Sequence, residues 1–109
     1  MEFKKIPFED NHLTELTPEQ IEAAKAKYKA VFEITVEDKK CWLHKPDRNV
    51  LDLANSASSK KSSKFNETIL RNCWLAGDKD IVEEDDYFYG ASTQLDELIT
   101  FKNAELKKY

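Results

Sequence analysis

The densest set of side chains able to do chemistry is acidic: Asp78, Asp80, Glu83, Glu84, Asp85 and Asp86 crowd into one short stretch. A calcium loop of the EF-hand type needs oxygen ligands at fixed alternating positions, a Gly at the sixth and a Glu at the twelfth. Counting from Asp78, the sixth position is Glu83 and the twelfth is Tyr89, so that spacing fails. Runs of like charge ordinarily form solvated loops. The functional alternative is a docking surface for a basic partner. In it, Glu83, Glu84, Asp85 and Asp86 supply charge and Tyr87, Phe88 and Tyr89 supply aromatic anchors. The same aromatics serve more often as core.

The other reactive residue types are sparse. His12 and His44 are the only histidines, and neither has a Cys or His neighbour at metal-ligand spacing. Cys41 and His44 lie three apart on an expected strand, hence on opposite faces, which opposes a Cys–His catalytic pair. GxSxG, GxGxxG, Walker and HExxH patterns are missing, and two glycines make a backbone phosphate cradle hard to build. No catalytic, cofactor or metal residue is assigned, and enzymatic activity is not expected. Lys60, Lys61 and Lys64 form a small basic patch among serines, better read as a solvated link than as a phosphate site.

The bulk properties point the same way. A chain of 109 residues suits one domain with a single modest core. Charged residues make up 35% and the net charge is −4, which disfavours nucleic acid as the principal partner. Apolar runs fall short of the ~20 residues that span a bilayer. The Lys4-Lys5 pair lacks the apolar segment of a signal peptide, so no membrane association is expected. Cys41 and Cys73 sit in apolar surroundings and read as reduced, buried thiols of a cytosolic protein; a disulfide between them is the alternative.

These residues need elements to hold them. The strongest is a helix over 64–76, where Phe65, Ile69, Leu70, Cys73 and Trp74 recur at helical spacing and Gly77 follows as a C-terminal stop. Residues 1–16 carry Phe3, Ile6, Phe8, Leu13 and Leu16 without helical period. They read as an arm over the core, or alternatively as an exposed arm for a partner. Thr17-Pro18-Glu19-Gln20 starts a surface helix by a capping box with Pro at the first position. Phe32, Ile34 and Val36 alternate with polar residues as a strand, Asp38-Lys39 turns, and residues 40–45 return. Two strands rarely stand alone, so helices or a further strand must cover them. Asp47 caps a helix bearing Val50, Leu51 and Ala54, and 56–63 is a polar link. A last helix is expected over about 91–107, with Leu95, Leu98, Ile99 and Leu106 on one face and a Glu105–Lys108 pair. The expectation is a small single α+β domain, a β-hairpin covered by three or four helices, with residues 1–16 as the arm and 17–109 as the domain.

Three segments carry a resemblance: Arg71-Asn-Cys-Trp-Leu-Ala-Gly-Asp78, Gln94-Leu-Asp-Glu-Leu-Ile99 and Lys102-Asn-Ala-Glu-Leu-Lys-Lys108. With the hairpin of residues 32–46 and the Asp47-Arg48 helix start, about residues 30–108 resemble small tailed-bacteriophage proteins of the tail assembly chaperone type and related uncharacterised phage proteins. The helix at 17–28 and the arm have no counterpart in that pattern. The resemblance implies a non-enzymatic role in the host cytoplasm: binding a phage structural protein of the tail, such as the tape measure, until the tail forms. It implies no catalytic residues and no cofactor. A structural subunit of the virion head, neck or tail is the alternative, and self-association as a homo-oligomer would favour it. A small acidic regulator of a host protein is the third reading.

Overall fold

The computed structural model describes every residue except Met1 and Thr100. Its architecture is α+β: a three-stranded antiparallel sheet with helices on both faces. Helix α1 (Pro18–Tyr28) leads into strands β1 (Val31–Val36) and β2 (Lys39–His44). Helices α2 (Arg48–Ser58) and α3 (Ser63–Cys73), strand β3 (Trp74–Gly77), and the short helices α4 (Asp80–Glu83) and α5 (Asp85–Ser92) follow. Single 3-10 turns form at Phe8–Asp10 and Leu95–Leu98.

Local signals at two helix starts act as expected. The Thr17 hydroxyl accepts from the Gln20 amide at 3.2 Å and the Gln20 side chain accepts from the Thr17 amide at 2.9 Å, closing the capping box. The Asp47 carboxylate accepts from the Val50 amide at 2.9 Å. Each satisfies donors that a helix start leaves unpaired. Helix α2 ends at Ser58, and the polar link turns the chain into α3.

The central helix is shorter than its periodicity suggests. Helix α3 stops at Cys73, and Trp74, at φ −64° and ψ 127°, turns the chain into β3. A short apolar run such as Trp74-Leu-Ala is compatible with a helix end or a buried strand, and only pairing decides between them. Here β3 pairs with β2, matching Cys41 to Gly77, Trp42 to Ala76 and Leu43 to Trp74. The register slips between Trp42 and Leu43, leaving Leu75 as an extra residue. Trp74 therefore enters the main core while both Leu75 and Ala76 join a second cluster. Gly77 is not a helix cap. At φ +139° it lies against β2, where an added Cβ would sit 2.5 Å from the Cys41 Cα.

The sheet separates two apolar clusters. Cys41, Leu43, Ile69, Leu70, Cys73, Trp74, Phe88 and Leu95 lie in the larger one, with Phe8 meeting Trp74 edge-to-face at 5.2 Å. Phe3, Leu16, Ala24, Trp42, Leu75 and Ala76 form the other beneath α1. The β1–β2 turn occupies Glu37-Asp38, one residue earlier than expected, with Glu37 at φ 54°.

The arm lies over the core, with Phe3, Phe8, Asn11 and Leu16 buried. It also closes one edge of the sheet. The Leu13 carbonyl accepts from the Gly77 amide at 2.9 Å, and Asn11 Nδ2 donates to the Leu75 carbonyl at 2.9 Å. Asn11 Oδ1 accepts from the Leu13 amide at 2.9 Å, so this buried amide is satisfied on both sides.

The C-terminal expectation is corrected. The helix expected over 91–107 is replaced by the end of α5 and the 3-10 turn at Leu95–Leu98; Thr100 lies outside the described residues. Leu95 and Leu98 are buried, but residues 101–109 have no regular structure and are exposed throughout, and the expected Glu105–Lys108 helical pair does not form. Propensity over 102–108 favours a helix, but Leu106 finds no core to bury its apolar face, and isolated short helices are marginal in water.

Candidate functional site

The acidic stretch divides in two. Asp78 and Asp80 belong to the structure of the β3–α4 connection. Lys39 Nζ lies 3.1 Å from Asp78 Oδ2 and 3.4 Å from Asp80 Oδ2, and the Asp80 amide donates to Asp78 Oδ1 at 3.0 Å. That amide, followed by Lys39, holds the Asp78 carboxyl below its usual range. Glu83, Glu84, Asp85 and Asp86 instead stand exposed at the α4–α5 corner, and none is ion-paired among the described residues. Asp85 and Asp86 open α5, where the helix dipole favours carboxylates.

The aromatic triplet also divides. Phe88 is buried in the larger core and is not available as a surface anchor. Tyr87 is half-buried. Its hydroxyl donates to Asp38 Oδ1 at 3.1 Å, which pushes the phenol pKa up, and Lys39 Nζ lies 5.3 Å from its ring centroid. Tyr87 therefore ties α5 to the hairpin turn. Tyr89 is 62% exposed and rests edge-on against Phe88 at 5.3 Å. Tyr89 lies four residues after Asp85 and three after Asp86, so it shares an outward side of α5 with each of them. The seven expected residues thus reduce to an acidic corner with a single aromatic, Tyr89.

A second constellation has no local signature in the sequence. His44, 3% exposed, stacks on Tyr28 with ring centroids 3.9 Å apart and planes 9° from parallel. Its Nδ1 donates to the Lys45 carbonyl at 2.8 Å, which leaves Nε2 as the acceptor from Lys5 Nζ at 2.9 Å. Lys5 Nζ also donates to the Asn72 carbonyl. Burial, rather than the Lys5 charge, is the main cause that lowers the His44 pKa to about 4, and burial likewise lowers that of Lys5. A neutral imidazole covered by a ring and occupied at both nitrogens is a poor general base. The group pins the arm across β2 and the α3 C-terminus. It brings together residues 5, 28, 44 and 72, a separation that no spacing rule reaches.

The remaining chemistry-bearing residues are dispersed. Cys41 and Cys73 are free thiols buried in the larger core, and burial pushes both up to about 12, far from the thiolate that nucleophilic chemistry requires. His12 is exposed on the arm, and Lys60 and Lys61 are exposed at the α2–α3 link. Lys64 pairs with Glu67 at 3.2 Å. Among the described residues no group of three or more His, Cys, Asp or Glu side chains is placed to hold a metal ion. No helix among them is long and apolar enough to cross a membrane.

Comparison with protein-family models, with curated proteins and with solved structures gives no match.

Proposed function

We propose that this chain is a non-enzymatic assembly protein of a tailed bacteriophage, which binds a tail structural protein and keeps it soluble in the host cytoplasm until the tail forms. The resemblance of residues 30–108 to tail assembly chaperones supplies the partner class. The observation that carries the binding role is the α4–α5 corner, where Glu83, Glu84, Asp85 and Asp86 stand exposed beside Tyr89 and have no ion-pair partner among the described residues. Four adjacent carboxylates repel one another, and a basic helix laid across them would relieve that repulsion while Tyr89 supplied apolar contact. Interfaces of this kind gain on-rate and selectivity from charge and hold through a few aromatic anchors.

Mass spectrometry of purified virions beside the soluble fraction of an infected lysate tests the role. The chaperone reading expects the chain in the lysate only, associated with a tail protein, and expects Glu84→Lys with Asp85→Lys to weaken that association. Abundance in particles would replace it with the second reading, a structural subunit of the virion. That reading is favoured by the exposed segment 101–109, which carries apolar side chains suited to contacts with a neighbouring subunit.

A further inference from the structure

The arm is fastened to the body in two different ways. From Phe8 onward it is tied firmly, by the Phe8–Trp74 ring contact and by the hydrogen bonds of Asn11 and Leu13 to β3. Before Phe8 the ties are side chains. Phe3 is buried and Lys5 half-buried, whereas Glu2, Lys4, Ile6 and Pro7 are exposed. Among the described residues, no hydrogen bond between main-chain groups joins residues 2–6 to the rest of the chain. The Phe3 ring sits in the smaller cluster, edge-on to Tyr28 at 6.5 Å, and its carbonyl accepts from Lys27 Nζ at 3.3 Å. Lys5 Nζ makes the remaining tie, to His44 Nε2 at 2.9 Å and to the Asn72 carbonyl. A chain end held by so few contacts opens locally at a cost far below that of global unfolding.

The Lys5 tie exists for only one protonation state of the imidazole. With Nδ1–H on the Lys45 carbonyl, a neutral ring leaves Nε2 a lone pair for the ammonium. A second proton turns Nε2 into a donor, and the acceptor within its reach is the Asn72 carbonyl, the group that Lys5 also uses. Lys5 then meets a cation in place of a lone pair and competes with it for one carbonyl. The groups around the pair do not offset this. Lys27 on α1 adds a further positive charge, Tyr28 covers the ring face, and Cys73 on α3 is a buried thiol. Asp47 at the start of α2 is the carboxylate whose charge reaches both groups, and its side chain already caps the helix. Beside Lys5, a cleft of about 370 Å³ lined also by Glu9, Arg71 and Asn72 gives the ammonium a way out to water.

We infer that residues 2–7 are a strap held shut by neutral His44, and that a proton on Nε2 opens it by taking the Asn72 carbonyl from Lys5. The ammonium leaves through the cleft, and Phe3 follows it out of the smaller cluster. That uncovers the Tyr28 ring and one side of the cluster, while Phe8 and the rest of the arm stay in place. Protonation of a buried histidine commonly acts in this way, by changing which of two packings its neighbours favour. Burial holds the His44 pKa at about 4, so the strap is closed at neutral pH and opens as pH falls towards that value. The inference is independent of the acidic corner at α4–α5.

Nuclear magnetic resonance of the full-length chain, titrated from neutral pH down to about pH 3, follows the His44 ring, the Phe3 ring and the core amides separately. As His44 gains its proton, the Overhauser contact between the Phe3 and Tyr28 rings should fall by about fivefold or more. The amides of residues 2–6 should move to the positions of an unstructured chain, while those of Cys41 and Leu70 keep their folded positions. His44→Gln offers Lys5 an amide oxygen that takes no proton in this range, so its Phe3 contact should survive the titration. Lys5→Met keeps the aliphatic stem without the charge. In it His44 should titrate at higher pH than in the parent, and the Phe3 contact should no longer follow that titration. Circular dichroism identifies any variant that fails to fold, and the parent titration decides the inference without them. A Phe3 contact that persists once His44 is protonated would overturn it. So would a release that folded His44→Gln retains, or loss of the Phe3, Cys41 and Leu70 signals in a single step.

Discussion

Replacing Gly77 distinguishes the strand from the helix end that the sequence suggests at this position. A glycine closing a helix sits near φ +57°, a region that Asn also visits. There Ala costs about 1 kcal/mol and Asn less. In the folded chain Gly77 is at φ +139°, outside that region, and is packed on the backbone of β2. A Cβ would lie 2.5 Å from the Cys41 Cα, 2.6 Å from the Lys40 carbonyl oxygen and 2.7 Å from the Cys41 Cβ. The first two are main-chain atoms of the central strand, so no rotamer change relieves them. Overpacking costs about 1–3 kcal/mol and a forced backbone conformation about another 1–3 kcal/mol, giving ~2–6 kcal/mol for Gly77→Ala. Domains of this size are stable by about 5–15 kcal/mol, so the loss is a large share of the total. Gly77→Asn should be at least as damaging, because its side chain is larger and its left-handed preference does not help at φ +139°. Urea unfolding of the three proteins, read by tryptophan fluorescence and far-UV circular dichroism, measures the differences. Asn within about 1 kcal/mol of Gly would refute the strand assignment and restore the helix cap.

Other perturbations reach different parts of the fold. Trp74→Ala should cost about 3–5 kcal/mol in the same unfolding assay; Trp74→Phe should cost less, because it keeps a large ring in the core while removing an indole N–H that is buried with no hydrogen-bond partner among the described residues. His44 has a folded pKa near 4 against an ordinary 6.5, so the unfolded chain binds its proton first. Its contribution to stability is complete above pH 6.5, falls as pH drops towards about 4 and then levels, for a loss of about 3 kcal/mol. Subtracting the unfolding free energies of His44→Gln from those of the parent across that window isolates the effect, and parallel curves would sink the assignment. Cys41 and Cys73 should react with a thiol reagent only as fast as the chain opens, so labelling should accelerate with urea in step with unfolding.

Elements whose signals are local can be read from the residues alone. Thr17-Pro18-Glu19-Gln20 and Asp47 each mark a helix start, because a cap needs only residues within one turn of each other. The alternation of Phe32, Ile34 and Val36 fixes β1 and its buried face for the same reason, and the exposed acids of the α4–α5 corner are evident from charge alone. Features that depend on partners distant in the chain emerge only when those partners meet in the fold. Trp74-Leu-Ala-Gly continues a helical pattern, yet β2 offers hydrogen bonds and two covered faces, and a fully buried strand has no polar alternation to reveal it. Leu106 has the spacing of a helix face but no surface to cover, so residues 101–109 stay outside the core. Phe88 and Tyr89 are adjacent aromatics, and only the direction of α5 sends one inward and the other to solvent. The Lys5–His44–Asn72 group and the closed and open edges of the sheet arise where segments far apart in sequence meet, and spacing rules have no reach over such distances.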